Sequence, residues 1–162
     1  MSAMSELFLP DAAATDRLGQ ALAQARPRPA VVQLLGDLGA GKSTLARALL
    51  RALGVQGTIR SPTYTLVERY PLPQGEAWHL DLYRIGDAGE LDFLGLDEGS
   101  AELWLVEWPE RGAGGLPPLD LQVALAMQGQ GRRVTLQAHS PAGQAWLEQA
   151  LRSEYLQGLP AV

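Results

Sequence analysis

The chain has 162 residues, 46% of them hydrophobic, which suits one domain with a sizeable core. A net charge of −5, with cations scattered apart from Arg132-Arg133, argues against unaided binding to nucleic acid, while the lack of Cys and the two isolated His set aside disulfide frameworks and zinc sites. No apolar run approaches the roughly 18 residues of a membrane span and no charged-then-apolar leader opens the chain, so a cytoplasmic protein with no membrane partner is expected.

Leu7-Phe8-Leu9 reads as a short strand closed by Pro10-Asp11. Leu18, Leu22 and Ala25 then recur at helical spacing, which predicts a helix capped by Asp11 or Thr15 and broken at Arg26-Pro27-Arg28-Pro29. The apolar run from Ala30 to Leu35 predicts a strand, and Leu45, Leu49 and Leu53 predict a second helix. Between them, Gly36-Asp37-Leu38-Gly39-Ala40-Gly41-Lys42-Ser43-Thr44 fully matches G-x-x-x-x-G-K-[ST], the phosphate-binding P-loop. Glycines without a Cβ let backbone N–H groups curl around phosphate oxygens, and the helix N-terminus adds partial positive charge. Lys42 is then expected on the β- and γ-phosphates, and the Ser43 hydroxyl on Mg²⁺. Of the 13 Lys and Arg residues only Lys42 is a lysine, so a compact ammonium occurs only where such a loop needs one.

Gly54 to Gly57 predicts a helix stop, and Thr65 to Tyr70 a strand. Ser61-Pro62-Thr63 ahead of it is either a plain Ser/Thr turn or a switch-like segment whose hydroxyls meet the γ-phosphate or its Mg²⁺. A hairpin through Pro71 to Gly75 returns as a strand from Ala77 to Arg84, with Trp78, Leu80 and Leu82 on a core face and His79, Asp81 and Tyr83 on a polar one. Asp81 is a candidate to serve the metal or the attacking water, and His79 reads as structural. Gly89 to Leu94 predicts a short helix, Asp97-Glu98 a cap or another start, and the nearby acids a solvated face. Leu103-Trp104-Leu105-Val106-Glu107 has the pattern of a buried strand whose acid emerges at the carboxyl end, where open α/β sheets place ligands. Glu107 is therefore the candidate carboxylate for Mg²⁺, bound directly or through its waters. Trp108 after it stacks on a base, meets a partner or joins the core. Gly112 to Pro118 is a loop. Leu121 to Met127 and Val134 to Ala138 predict two strands joined through Gln128 to Arg133, and a packing helix follows from about residue 143 to 157, with Trp146, Leu147, Ala150 and Leu151 on one face.

Taken together and in this order, GDLGAGKST, SPTYTLVERY, HLDLYR and LVEWPERG resemble the TsaE (YjeE) family, over roughly residues 7 to 138. Members are small bacterial P-loop ATPases required for the threonylcarbamoyladenosine modification of tRNA. The resemblance implies a single α/β domain of P-loop NTPase fold, spanning the chain, with a mixed parallel and antiparallel sheet between helices. It implies weak hydrolysis of ATP to ADP with Mg²⁺, in a complex with TsaB and TsaD in which TsaD carries out the carbamoyl transfer, so that tRNA is met only through partners. By position it puts Gly39, Gly41, Lys42, Ser43 and Thr44 on the phosphates, Thr63 as the switch-like hydroxyl, and Asp81 as an acid needed for hydrolysis. Glu107 becomes the Walker B acid, Trp108 a tryptophan beside the site, and Arg132 part of a hairpin near the nucleotide. Where the family more often has Thr, this chain has Ser43, which supplies the same hydroxyl.

Three other readings compete with this one. A P-loop small-molecule kinase usually carries a lid with several Arg, where this chain offers isolated Arg111 and the Arg132-Arg133 pair. A guanine-reading switch normally uses N-K-x-D, and this chain has no Asn and no second Lys. A non-catalytic module holding nucleotide as a structural ligand is separated from an ATPase by an assay of hydrolysis.

Overall fold

Short β-branched and leucine-rich runs bounded by Gly and Pro become strands, and in the computed structural model, which describes residues 4–96 and 101–160 with Phe93 by its backbone alone, they form one mixed sheet. In chain order the strands are β1 (Met4–Leu9), β2 (Ala30–Leu35), β3 (Val67–Pro71), β4 (Glu76–Asp81), β5 (Ala101–Glu107), β6 (Leu121–Gln128) and β7 (Gly131–Ala138). Across the sheet their order is β1-β7-β6-β2-β5-β4-β3. β2 runs parallel to β5 and β6, and β5 parallel to β4, whereas β3, β7 and β1 pair antiparallel with their neighbours. This is the α/β architecture with a mixed sheet that the resemblance implied.

Three helices, α1 (Ala12–Ala25), α2 (Lys42–Ala52) and α3 (Pro141–Arg152), bury their apolar stripes in the larger of two core clusters, together with alternate residues of β2, β5, β6 and β7. Leu45, Leu49 and Leu50 of α2 are at most 1% exposed, and each such leucine contributes about 2 kcal/mol through its burial. Trp78, Leu80 and Val106 belong to the smaller cluster, beneath a 3-10 helix at Ala88–Leu94. Asp11 caps α1, its Oδ1 accepting the Ala14 N–H at 2.9 Å. No helix among the described residues is long and apolar enough to cross a membrane.

Several boundaries differ from the sequence reading, each for a local reason. β3 opens at Val67 instead of Thr65, because Leu66 takes a left-handed conformation (φ 69°) and gives its N–H to the Pro62 carbonyl, closing a turn. β4 ends at Asp81, whose side chain accepts the Tyr83 N–H and bends the chain. The β6–β7 turn is Gly129-Gln130 alone, so Arg132 and Arg133 lie in β7 and not in the connection. The last helix begins earlier, at Pro141 after the Ser140 cap, and stops at Arg152, where Ser153 opens a 3-10 turn over Glu154–Leu156. Asp97-Glu98, read as a cap or helix start, lie outside the described residues.

Candidate functional site

β2 delivers the chain into the glycine loop, and the loop delivers it into α2. Gly36 (φ +142°) lies so close to β6 that a Cβ there would come within 2.5 Å of the Leu125 carbonyl oxygen. Gly41 (φ +108°) opens α2 from a left-handed conformation, a geometry that glycine adopts without steric cost. Lys42 is buried (5% exposed), its Nζ donating to the Gly36 carbonyl at 2.5 Å and standing 4.1 Å from the centre of the Trp108 ring. Ser43 and Thr44 follow in the first turn. From β7, Arg132 reaches back and donates Nε–H to the Ala40 carbonyl at 2.8 Å, tying the hairpin to the loop.

The two candidate acids stand at the carboxyl ends of adjacent parallel strands, with Asp81 and Glu107 as direct register partners. The expected polar face of β4 is not solvated: His79 is 2% and Asp81 8% exposed, because Ala77 on the same face packs into the larger cluster while Trp78 and Leu80 fill the smaller one. Both faces of this strand are therefore interior. Among the described residues the His79 ring makes one hydrogen bond, Nε2 at 2.6 Å from Glu107 Oε2, and its Nδ1 has no hydrogen-bond partner.

Ser61-Pro62-Thr63 forms a turn in which Ser61 Oγ and Thr63 Oγ1 are hydrogen-bonded at 2.7 Å. Tyr70 of β3 pins the residue before it, its hydroxyl accepting the Arg60 N–H at 2.9 Å and donating to the Arg60 carbonyl at 3.1 Å. Burial raises the Tyr70 phenol above the ordinary tyrosine range. Tyr70→Phe is expected to cost about 1–2 kcal/mol in denaturant titration and to speed amide exchange across residues 60–66. Parental exchange there would show that the turn is anchored elsewhere.

Trp108 takes a left-handed conformation (φ 54°) directly after β5, half-buried between the Lys42 ammonium and the Tyr83 ring, whose centre lies 4.8 Å away. It therefore stands at the rim of the loop while packing against the edge of the smaller core cluster.

One cleft of about 240 Å³ gathers most of these groups. Leu38, Gly39, Gly41, Lys42, Ser43 and Thr44 come to it from the loop, and Thr63, Asp81, Glu107, Trp108 and Arg132 from four other parts of the chain. Gly36 and Asp37 line an adjoining hollow shared with Lys42 and Trp108, and Ala40 is buried behind the loop. A larger groove between α1 and α2, about 420 Å³, reaches Thr44 but neither acid. His79, read from the sequence as structural, meets the cleft acid Glu107, and the one signal for this is the even spacing that puts it on the same face as Asp81. Among the oxygen groups lining the cleft, the Ser43 hydroxyl at the start of α2 and the carboxylates of Asp81 and Glu107 at the strand ends make an all-oxygen partial set of the kind Mg²⁺ takes when phosphates and waters supply the rest. The residues present fit that ion.

Residues 9–135 match the family model for the threonylcarbamoyl adenosine biosynthesis protein TsaE. The tRNA threonylcarbamoyladenosine biosynthesis protein TsaE of Haemophilus influenzae is 38% identical over 143 residues, covering 84% of this chain and 90% of that one. Its namesake from Synechocystis is 43% identical over 123 residues, covering 72% and 75%. The crystal structure of Bacillus subtilis YdiB superposes with a TM-score of 0.77 at 27% identity, over 94% of this chain and 97% of that one.

Proposed function

The chain belongs to the TsaE family, and from that premise we propose that it binds ATP with Mg²⁺, hydrolyses it weakly alone, and serves threonylcarbamoyladenosine formation on tRNA together with TsaB and TsaD. The observation that carries this reading is the shared cleft, in which five side chains from distant parts of the sequence converge on the glycine loop.

In this reading the loop amides of Gly39 and Gly41 and the start of α2 hold the phosphates, and Lys42 exchanges its bond to the Gly36 carbonyl for the β- and γ-phosphates. Ser43, Glu107 and Asp81 would hold Mg²⁺, which supplies charge neutralisation at the phosphoryl oxygens. The Thr63 hydroxyl meets the γ-phosphate end, and Arg132 keeps the loop's carbonyl side anchored while offering a guanidinium to the cleft. Because the two acids lie side by side at strand ends, they are fixed before ligand arrives, which is the preorganisation that hydrolysis needs.

The partner role draws on the cleft's rim. Leu38, which lines the cleft, and Tyr64, next to Thr63, are 71% and 78% exposed, so apolar surface adjoins the groups that would sense the γ-phosphate. With a net charge of −5, tRNA is reached through partners and not directly. The test is steady-state phosphate release with and without TsaB and TsaD, alongside a gel shift with tRNA. Stimulation by both partners together, reduced in Thr63→Ala and Trp108→Ala, is expected, with no shift by the isolated protein at physiological salt. A rate indifferent to both partners, or tight tRNA binding by the chain alone, overturns the partner role.

A further inference from the structure

His79 has no part in the reading above, yet it is 2% exposed and its one side-chain hydrogen bond among the described residues, 2.6 Å long, is with Glu107, itself 4% exposed. The strand register explains the geometry. His79 is the register partner of Leu105 and Asp81 that of Glu107, so the contact runs diagonally, from one pleat deeper in the sheet up to the acid at the strand's end. A histidine serving only to fill the core has no need to meet a carboxylate that lines the cleft.

The hydrogen-bond inventory indicates how it meets it. Nδ1 is buried without a partner among the described residues. A ring protonated on Nε2 leaves only an acceptor unmatched there, whereas a proton on Nδ1 would strand a buried donor, the rarer and costlier defect. The arrangement therefore fits a neutral imidazole donating Nε2–H to Glu107 Oε2. The terminal torsion of Glu is broad, so a carboxylate held at one oxygen has its plane set by that bond.

We propose that His79 is a positioning residue that fixes Glu107 Oε2 and so presents Oε1 to the cleft beside Ser43, setting the affinity for the divalent cation that accompanies the nucleotide. This rests on the reading of Glu107 as a Mg²⁺ carboxylate. Outer partners of metal ligands act in this way, and their loss typically costs ten- to a hundredfold in metal affinity.

The experiment measures Mn²⁺ affinity of the ADP-loaded full chain by electron paramagnetic resonance, and ADP affinity in EDTA in parallel, for His79→Gln, His79→Asn, His79→Leu and Glu107→Gln. The Gln amide nitrogen reaches the place of Nε2, whereas the Asn amide falls short, near Nδ1. His79→Asn and His79→Leu are expected to weaken Mn²⁺ binding by about ten- to a hundredfold, with His79→Gln recovering most of the loss and all three binding ADP in EDTA like the parent. If His79→Leu does not fold, the Gln and Asn pair decides alone. The proposal is overturned if Asn matches the parent, if Gln and Asn are equally impaired, or if metal-free ADP binding falls in step with the metal. Glu107→Gln separates the two levels. If it leaves Mn²⁺ affinity intact, the assignment of Glu107 fails and takes the proposal with it; if it weakens the metal while the His79 variants do not, only the role of His79 is lost.

Discussion

Lys42→Ala is expected to remove measurable binding of a non-hydrolysable ATP analogue in calorimetric titration. Two charge-assisted hydrogen bonds from an ammonium to phosphate oxygens contribute about 1.5 kcal/mol each or more, together roughly a hundredfold in affinity. The sequence motif places the side chain on the β- and γ-phosphates. The structure adds protein contacts, since Lys42 is 5% exposed, donates to the Gly36 carbonyl and lies over Trp108. Its truncation therefore also removes a hydrogen bond and a cation–π contact within the protein, worth about 1 kcal/mol each. Lys42→Met deletes the charge but keeps most of the side chain's bulk beside Trp108, so it separates the lost ammonium contacts from the space that Ala opens in the loop. Both variants should fail to bind, with Lys42→Met melting closer to the parent. Parental affinity in either one would sink the phosphate-binding role of this loop.

Local chemistry made the loop legible before any coordinates, because all its determinants are contiguous: the glycines at positive φ, the helix that follows, and a lysine used nowhere else in the chain. The acids were legible for another reason. Glu107 ends an apolar run and Asp81 stands on the polar face of an alternating one, and the structure, by ending β4 at Asp81, makes the two register neighbours at one edge of the parallel strands. What escaped the sequence depends on contacts between distant segments. Alternation in β4 signals a core face and a polar face but cannot say that both are covered, as they are at His79 and Asp81. The His79–Glu107 contact joins residues 28 apart and leaves no local trace. Arg132 sits in a run of Gln, Gly and Arg where any of several residues suits a turn, and only the pairing of Gln128 with Gly131 shows that the turn is two residues long. The left-handed conformation of Trp108 was equally unreadable, since non-glycine residues adopt it rarely and only where surrounding contacts hold them there.

Glu107→Gln and Asp81→Asn are expected to lower phosphate release by about a hundredfold while changing metal-free nucleotide affinity little, because charge-stabilising groups act chiefly where charge develops in the transition state. Amide replacements are the informative ones here. Glu107 is 4% and Asp81 8% exposed, so truncation to Ala would open space in a packed strand and mix a folding defect with a chemical one. Asn at position 81 can still accept the Tyr83 N–H at the strand's end, and Gln at position 107 can still accept from His79. What each loses is negative charge beside its register partner. The two variants should then diverge in their response to cation. An acid that holds Mg²⁺ leaves a variant whose rate climbs back as Mg²⁺ is raised, through a higher apparent KM for the metal. An acid that orients water leaves a variant with a low kcat at every Mg²⁺ concentration. Glu107→Gln is expected to follow the first pattern, since its carboxylate faces the P-loop from the neighbouring parallel strand, in register with both Leu34 and Asp81. Asp81 is assigned by whichever pattern its variant follows. Parental phosphate release at saturating Mg²⁺ and limiting Mg²⁺ alike, in either variant, removes that acid from the mechanism.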